Sequence, residues 1–293
     1  MDPAGQRRRI ALKFSGRSCQ VFVNDSGETM ITVQDISDYL ESFAPATLAE
    51  EWDNVGLLVG NPAQPVERLM TCLTITAESA QEAIDRNAEM IVTHHPLPFR
   101  PLKRLTTTET ASRLLLQLIE AKIAIHSPHT AFDSAAAGIN QQLAEGLGLE
   151  SIKPLIPSTE DSEDLGAGRW GKLAVASNLQ SVSQQLQTFL NIDGLQAVGK
   201  ADQPVTSVAV ACGSAGQFLE AASQQGCDLL ITGETSFHTC LEAAANQVSL
   251  LLPGHYASER FAVEQLATTL ATQFEKLDIW SSEKESDPLC WWS

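Results

Sequence analysis

Residues 88–96 read Ala-Glu-Met-Ile-Val-Thr-His-His-Pro, and residues 227–234, offset by 139 (227 less 88), read Cys-Asp-Leu-Leu-Ile-Thr-Gly-Glu. In both, a short apolar run ends at a threonine, the pattern of a buried strand in an α/β sheet. The same offset lays VERLMTCLTIT (66–76) over VTSVAVACGSA (205–215). Further along, the offset falls to 126 and lays His129-x-x-x-Asp133 over His255-x-x-x-Glu259, so the first copy carries an extra loop of 13 residues. Apolar matches arise by chance between any two α/β halves, but two matched polar motifs argue for an internal duplication. Each half then reads strand, helix, strand, helix, strand, and a His-x-x-x-acid turn that opens another helix.

Working outward, Ile36, Tyr39, Leu40 and Phe43 fall at helical spacing and predict a first helix over 34–42. Strands are predicted over 56–59, 69–75, 90–93, 122–126, 172–177, 207–212, 229–232 and 248–252. Helices are predicted over 77–87, 108–120, 135–147, 180–190, 215–225, 236–246 and 258–273. The fold class expected is α/β: two similar, intertwined lobes with mixed sheets flanked by helices. The first lobe covers 30–156, and the second covers 170–293 and packs back on the first. Between them, PSTEDSEDLGAGR (157–169) has no periodicity and reads as a linker. Residues 1–29 read as an extension or a misassigned start. Arg7-Arg8-Arg9 resembles a twin-arginine export signal, but SGRSCQVFVNDSGET (15–29) lacks the apolar run such a signal needs.

The chain has 293 residues, 43% hydrophobic, enough for one large core or two smaller ones. Its formal charge of −17 repels phosphate backbones and anionic membranes, so neither nucleic acid nor a membrane is an expected partner. No stretch approaches the roughly 18 apolar residues of a membrane span. Cys19, Cys72, Cys212, Cys227, Cys240 and Cys290 form no C-x-x-C pair and resemble the buried thiols of a reducing, cytoplasmic protein.

Four of the six histidines fall in three motifs: Thr93-His94-His95-Pro96, His129-x-x-x-Asp133 and His255-x-x-x-Glu259. Imidazole with carboxylate is the ligand set of Zn, Mn or Fe. His94 and His95 follow an apolar strand at its carboxyl end, where open α/β sheets place ligands. In extended backbone neighbouring side chains diverge, so the two suit two ions, or one ion and one buried contact. In the other motifs an apolar strand, a proline break and a histidine precede an acid about one helical turn later, so both side chains can face one point. A lone His-x-x-x-Glu is usually a surface helix pair. Here all five ligand-type groups fall at strand-to-helix junctions, which favours a shared site. His94, His95, Asp133, His255 and Glu259 are therefore the candidate ligands of two divalent ions, with Glu259 long enough to bridge them. His129 is expected behind them, orienting Asp133 or water. Glu234 and His238 are candidates for acid-base work or substrate contact, or form a salt-bridged pair. His126 reads as a core residue, and the Trp291-Trp292 tail as packing at a surface seam.

At these residues the chain resembles the Nif-three-like family, whose members are often filed as GTP cyclohydrolase type-two homologues. The matching segments are EEWDNVGLLVG (50–60), IVTHHPLPF (91–99), HTAFDSAAAGINQQLAEGLGL (129–149), DLLITGETSFH (228–238), GHYASER (254–260) and SSEKESDPL (281–289). They span the chain from about residue 30 to its end. The resemblance implies a two-lobed α/β fold with a dinuclear metal cleft and a ring-like homohexamer. It also implies that His94 and His255 hold one ion, His95 and Asp133 the other, and Glu259 both. Longer relatives carry a further domain in mid-chain, for which residues 150–170 leave no room.

The function expected is that of a metal-dependent hydrolase using a metal-activated water on a small molecule, by GTP cyclohydrolase-like ring opening or attack on a nucleotide or phosphoester. Glu259, His129, Glu234 and His238 are the candidate catalytic residues. Lys103 and Arg104 are either attractors of an anionic nucleotide or ordinary solvated charges. The alternative is a non-enzymatic, ring-shaped metal protein serving as a scaffold or regulatory partner. A structural site has every position filled by protein, whereas a catalytic one keeps a position open.

Overall fold

Two sheets, each centred on three parallel strands, take up the two copies of the repeat. The computed structural model describes residues 8–14, 17–23, 30–159 and 165–290. Near the amino terminus β1 (Arg8–Phe14) and β2 (Arg17–Val23) pair antiparallel, inside the segment expected as an extension. The rest of that segment, 160–164 of the expected linker, and Trp291-Trp292 lie outside the described residues.

The first copy runs through α1 (Val33–Phe43), β3 (Gly56–Val59), β4 (Arg68–Cys72), α2 (Ala77–Asp85), β5 (Met90–Thr93), α3 (Thr110–Glu120), β6 (Ala124–Ser127) and α4 (His129–Ser134). Then come α5 (Ile139–Gly146), β7 (Leu149–Lys153), β8 (Ile156–Pro157) and β9 (Gly166–Ala167). The second copy runs through β10 (Arg169–Asn178), α6 (Leu179–Leu190), β11 (Gln196–Val198), β12 (Pro204–Ser214), α7 (Leu219–Gln224) and β13 (Leu229–Glu234). It closes with α8 (Phe237–Ala245), β14 (Ser249–Leu252), α9 (His255–Gln273) and β15 (Asp278–Ser281).

The first sheet has the order β15-β4-β5-β6-β3, parallel except at β3; the second has the order β11-β14-β13-β12-β10-β7, parallel only across β12, β13 and β14. The chain crosses between the sheets twice. Before the expected linker, β7 already pairs with β10, because Leu143 of α5, Leu147 just past its end and Leu149 are buried in the second core with Leu179 and Val182. At the other end β15 returns to pair with β4. The expected linker 157–169 is also partly regular: β8 and β9 pair within and beside it, and Arg169 already belongs to β10.

Helix α1 starts where Thr32 and Asp35 cap one another reciprocally, and it buries Val33, Ile36 and Leu40 at helical spacing. Those residues pack on Leu69 and Met90 from one side, while Ala262, Leu266 and Leu270 of α9 join the same cluster. Helix α9 also packs on β12 and β13, so one helix wedges both sheets apart and carries Glu259 between them. The helix expected over 135–147 is broken, since α5 begins only at Ile139. Gly138 explains the break: a Cβ there would lie 1.8 Å from the carbonyl oxygen of Phe132, and only glycine lets the chain turn so close to α4. Among the described residues no helix is long and apolar enough to cross a membrane, and Cys72, Cys212, Cys227, Cys240 and Cys290 are free thiols.

Candidate metal centre

β5 ends at Thr93, and the chain bends through His94 and His95. The bend is held by backbone bonds from His94 N to Cys72 O (3.0 Å), from His95 N to Leu73 O (2.8 Å), and by the Ser127 hydroxyl donating to His94 O (2.6 Å). Strict strand alternation no longer applies there, so both imidazoles reach the cleft, with ring centroids 5.1 Å apart. Thr93 at the end of β5 and Thr232 near the end of β13 play matching parts. Thr93 donates to Leu73 O and Thr232 to Gly213 O, both at 3.2 Å.

The cleft gathers the five candidate ligands. His95 Nε2 lies 3.3 Å from His255 Nε2, and each lies 3.2 Å from Glu259 Oε2. His94 Nε2 lies 3.7 Å from Asp133 Oδ1 and 3.8 Å from Glu259 Oε1. In these contacts His95 lies by His255 and His94 by Asp133, while the expected assignment, His94 with His255 on one ion and His95 with Asp133 on the other, concerns bound ions and is read from metal-loaded protein. The bend after β5 swings His95 toward the start of α9 and leaves His94, buried, over α4. Glu259 still stands between the pairs with one oxygen facing each.

These side chains fit divalent cations. Bonds of about 2.1 Å in a tetrahedral arrangement hold donors about 3.4 Å apart, close to the spacing among His95, His255 and Glu259. Lone pairs that face each other so closely repel unless a cation or proton sits among them. Both ring nitrogens of His94 are buried without a hydrogen bond, a costly state that a metal bond at one of them would relieve. Two clusters can hold an ion: His94 with His95 and His129, and His95 with His255 and Glu259.

The electrostatics put two of the groups in their ligand forms. Burial holds the His94 imidazole well below its usual pKa, hence neutral. Burial pushes the Glu259 carboxyl up, but the His255 hydrogen bond and the facing imidazole rings outweigh it and hold the group ionised. Asp133 is raised to about 7, first by burial and then by Glu259. The bond to Glu259 raises His255 to about 9 against its burial, so a cation arriving there must displace a proton.

Each histidine on the cavity wall is oriented from behind. His129 donates Nδ1–H to Asp53 Oδ1 at 2.7 Å, and Asp53 also accepts from the backbone and hydroxyl of Thr130. Asp53 is pushed up by burial, but those hydrogen bonds prevail and hold it at about 2. His129 pays with a backbone φ of +29°, in the region L residues avoid, directly after Pro128. His255 donates Nδ1–H to Glu234 at 3.0 Å. His95 Nδ1 is bonded to the Thr74 hydroxyl at 2.7 Å, and Glu285 of the carboxyl-terminal segment accepts from the Leu73 and Thr74 amides while facing Arg260.

The sequence candidates thus separate. Glu234 stands behind His255 as an orienting carboxylate. His238 is exposed on α8 against Phe237, and none of its described contacts reaches the cleft. His129 stands in the cleft with His94 and His95 instead of behind them. His126 is buried in β6, with Nδ1 3.3 Å from Ser37 Oγ, and Lys103 and Arg104 are exposed away from the cavity. Asp53, Thr74, Gly213 and Glu285 were not foreseen. Gly213, at φ +65°, is required: a Cβ there would lie 2.3 Å from Glu259 Oε1. The cleft opens into a cavity of about 690 Å³ on whose wall His95, His129, Asp133, His255 and Glu259 all stand.

A family model described as Duf34/NIF3 (NGG1p interacting factor 3) matches residues 31–288. A Clostridium acetobutylicum protein named GTP cyclohydrolase 1 type 2 homolog is 31% identical over 249 residues, covering 85% of this chain and 93% of its own. NIF3-like protein 1 of Drosophila melanogaster is 32% identical, covering 85% and 86%. Among solved structures, a Staphylococcus aureus protein superposes with a TM-score of 0.79 at 25% identity, covering 89% of this chain and 99% of its own. A Bacillus cereus protein related to NIF3 superposes with a TM-score of 0.81 at 22% identity, a likeness of fold.

Proposed function

The chain belongs to the Duf34/NIF3 family, and from that premise we propose that it is a dinuclear metal-dependent hydrolase of a small molecule, of the nucleotide, phosphoester or purine-ring class. One observation carries the reading: four of the five candidate ligands, all but the buried His94, line an open cavity, as a site that must admit substrate and water requires. Two divalent ions, when bound, supply Lewis acidity and a water acidic enough to attack near neutral pH.

The chain's own residues do the rest. Glu259 and Asp133 bring carboxylate oxygens, and His94, His95 and His255 bring imidazole nitrogens, from both copies of the repeat. Asp53 fixes the His129 tautomer with the proton on Nδ1, so Nε2 is left with its lone pair on the cavity wall, able to hold an ion or take a proton. Glu234 fixes His255 in the same manner, and the Thr74 hydroxyl, which can donate or accept, holds the His95 ring in orientation. The assembly proposed is a homohexameric ring, read by light scattering as six copies, and the compartment proposed is the reducing cytoplasm, which suits the free thiols.

The test is elemental analysis of purified protein followed by a hydrolysis screen over nucleotides, nucleosides and phosphoesters, with Glu259→Gln in parallel. Two ions per chain and a hydrolysis lost in Glu259→Gln are expected. Full turnover by Glu259→Gln would remove the catalytic reading, and tightly bound metal with no position open to water would favour the scaffold.

A further inference from the structure

The cavity has an inner end of ligands and an outer wall of aromatic side chains, and only the inner end is explained above. Trp52 and Phe99 stand on that wall although 61% and 45% of their surfaces are exposed. Their ring centroids are 5.9 Å apart, and each lies 6.0 Å from the His129 ring. Exposed aromatics on loops are ordinarily free to turn. These are held: Asp53, next to Trp52, is locked onto His129 and Thr130, and the Asn54 side chain donates to Pro98 O at 2.8 Å, which ties the Trp52 loop to the Phe99 loop. The same carboxylate that orients a cleft histidine therefore also positions the tryptophan.

The charge of the wall is equally informative. Among the described residues lining the cavity there is no lysine or arginine, and Glu50 adds a negative charge at the aromatic end. The nearest cations in sequence, Arg100, Lys103 and Arg104, are exposed and stand off the wall. Ions held at the inner end could meet one anionic or carbonyl group. Further phosphates would meet no cationic side chain and would face Glu50, in a protein of net charge −17.

We propose that Trp52 and Phe99 form a stacking platform for a planar heteroaromatic ring of low charge, a free base or nucleoside and not a nucleoside triphosphate. This deepens the hydrolase reading above and rests on it for the direction in which the ring faces. A cavity of about 690 Å³ holds such a ring with room for water. Stacking on an aromatic face tolerates many ring systems and needs no charge.

Calorimetric titration of metal-loaded protein with adenosine, guanosine, ATP and GTP tests the proposal, using wild type, Trp52→Phe and Trp52→Ala. The nucleosides should bind wild type at least as tightly as their triphosphates. Trp52→Ala should weaken nucleoside binding by about 5- to 150-fold, and Trp52→Phe should restore most of it. A triphosphate bound tenfold more tightly than its nucleoside, no nucleoside binding, or nucleoside affinity unchanged in Trp52→Ala would each overturn it. So would a Trp52→Ala protein that changes oligomeric state while binding nucleoside as before. Because binding is read without turnover, nucleoside binding through Trp52 with no hydrolysis would sink the hydrolase reading alone, and hydrolysis of a non-aromatic substrate would sink this one alone.

Discussion

The two copies of the repeat end alike and are furnished differently. Each brings three parallel strands to one cleft, carries at or near the end of β5 or β13 a threonine bonded to the neighbouring strand's exit, and begins a helix with a histidine whose Nδ1 is held by a carboxylate. In the first copy the bend after β5 carries two imidazoles, and its closing helix α4 is six residues long. In the second copy the matching positions are Gly233 and Glu234, and the closing helix α9 runs 19 residues through the middle of the molecule. Where the first copy has Thr74 to brace His95, the second has Gly213 to make room for Glu259. One copy thus provides most of the donors, and the other the bridging carboxylate and the helix that carries it. Neither half holds the proposed ion pair alone, which is why the chain must fold with its lobes interlocked.

The carboxylates break this comparison most severely. Glu259→Gln should abolish both ions, lowering metal affinity by more than about 100-fold, whereas Asp133→Asn should cost the ion on the His94 side and spare the other. Elemental analysis after dialysis reads the difference; equal losses would mean that the two acids are equivalent. Gly213→Ala should behave like Glu259→Gln, since its Cβ intrudes on Glu259 Oε1.

Removing the carboxylates behind the histidines gives the next effect. Asp53→Asn and Glu234→Gln should each weaken metal binding within about 10- to 100-fold, with Asp53→Asn the larger. Asp53 has a fully buried side chain and secures a strained histidine, whereas the Glu234 side chain is half exposed. Competition with a chelator ranks them, and the opposite order would show that exposure is not what separates the copies.

The smallest effect lies in the carboxyl-terminal segment, which stitches the first sheet only. Glu82 of α2 accepts hydrogen bonds from Trp280, Ser282, Glu283 and Lys284. Burial pushes its pKa up, but those bonds prevail and hold it below the usual 4.5. A carboxyl depressed in the folded state contributes stability that is present above its unfolded pKa and lost as pH falls through the folded one. The melting temperature of wild type should therefore fall more steeply below about pH 4.5 than that of Glu82→Gln. Parallel curves would show that the segment is held by its apolar contacts instead.

The sequence displays the central parallel strands because each is a continuous apolar run: the strand expected over 90–93 coincides with β5, and the one expected over 248–252 contains β14. Among the edge strands, β3 falls where it was expected, over 56–59, but β15 and β11 escape it. β11 has no buried residue and β15 only one, and a sheet formed more than a hundred residues earlier decides where β15 pairs. The candidate ligands are legible as residue types at strand ends, but their partners are not, since a two-residue bend determines which imidazole meets which carboxylate. Asp53 lies 76 positions from His129, in a loop without periodicity, and the one signal for it is its place in the matched segment EEWDNVGLLVG. Glu234 sits where an acid-base group was expected and serves orientation, a role that only its bond to His255 reveals.

The central claim is a pair of cations shared by both copies across Glu259. Anomalous scattering from crystals grown with Mn or Zn measures it directly. The account predicts two peaks roughly 3.5–4 Å apart, one beside His94 and Asp133 and one beside His95 and His255, with a Glu259 oxygen on each. A single peak, or two peaks confined to residues of one copy with Glu259 turned away, would contradict it.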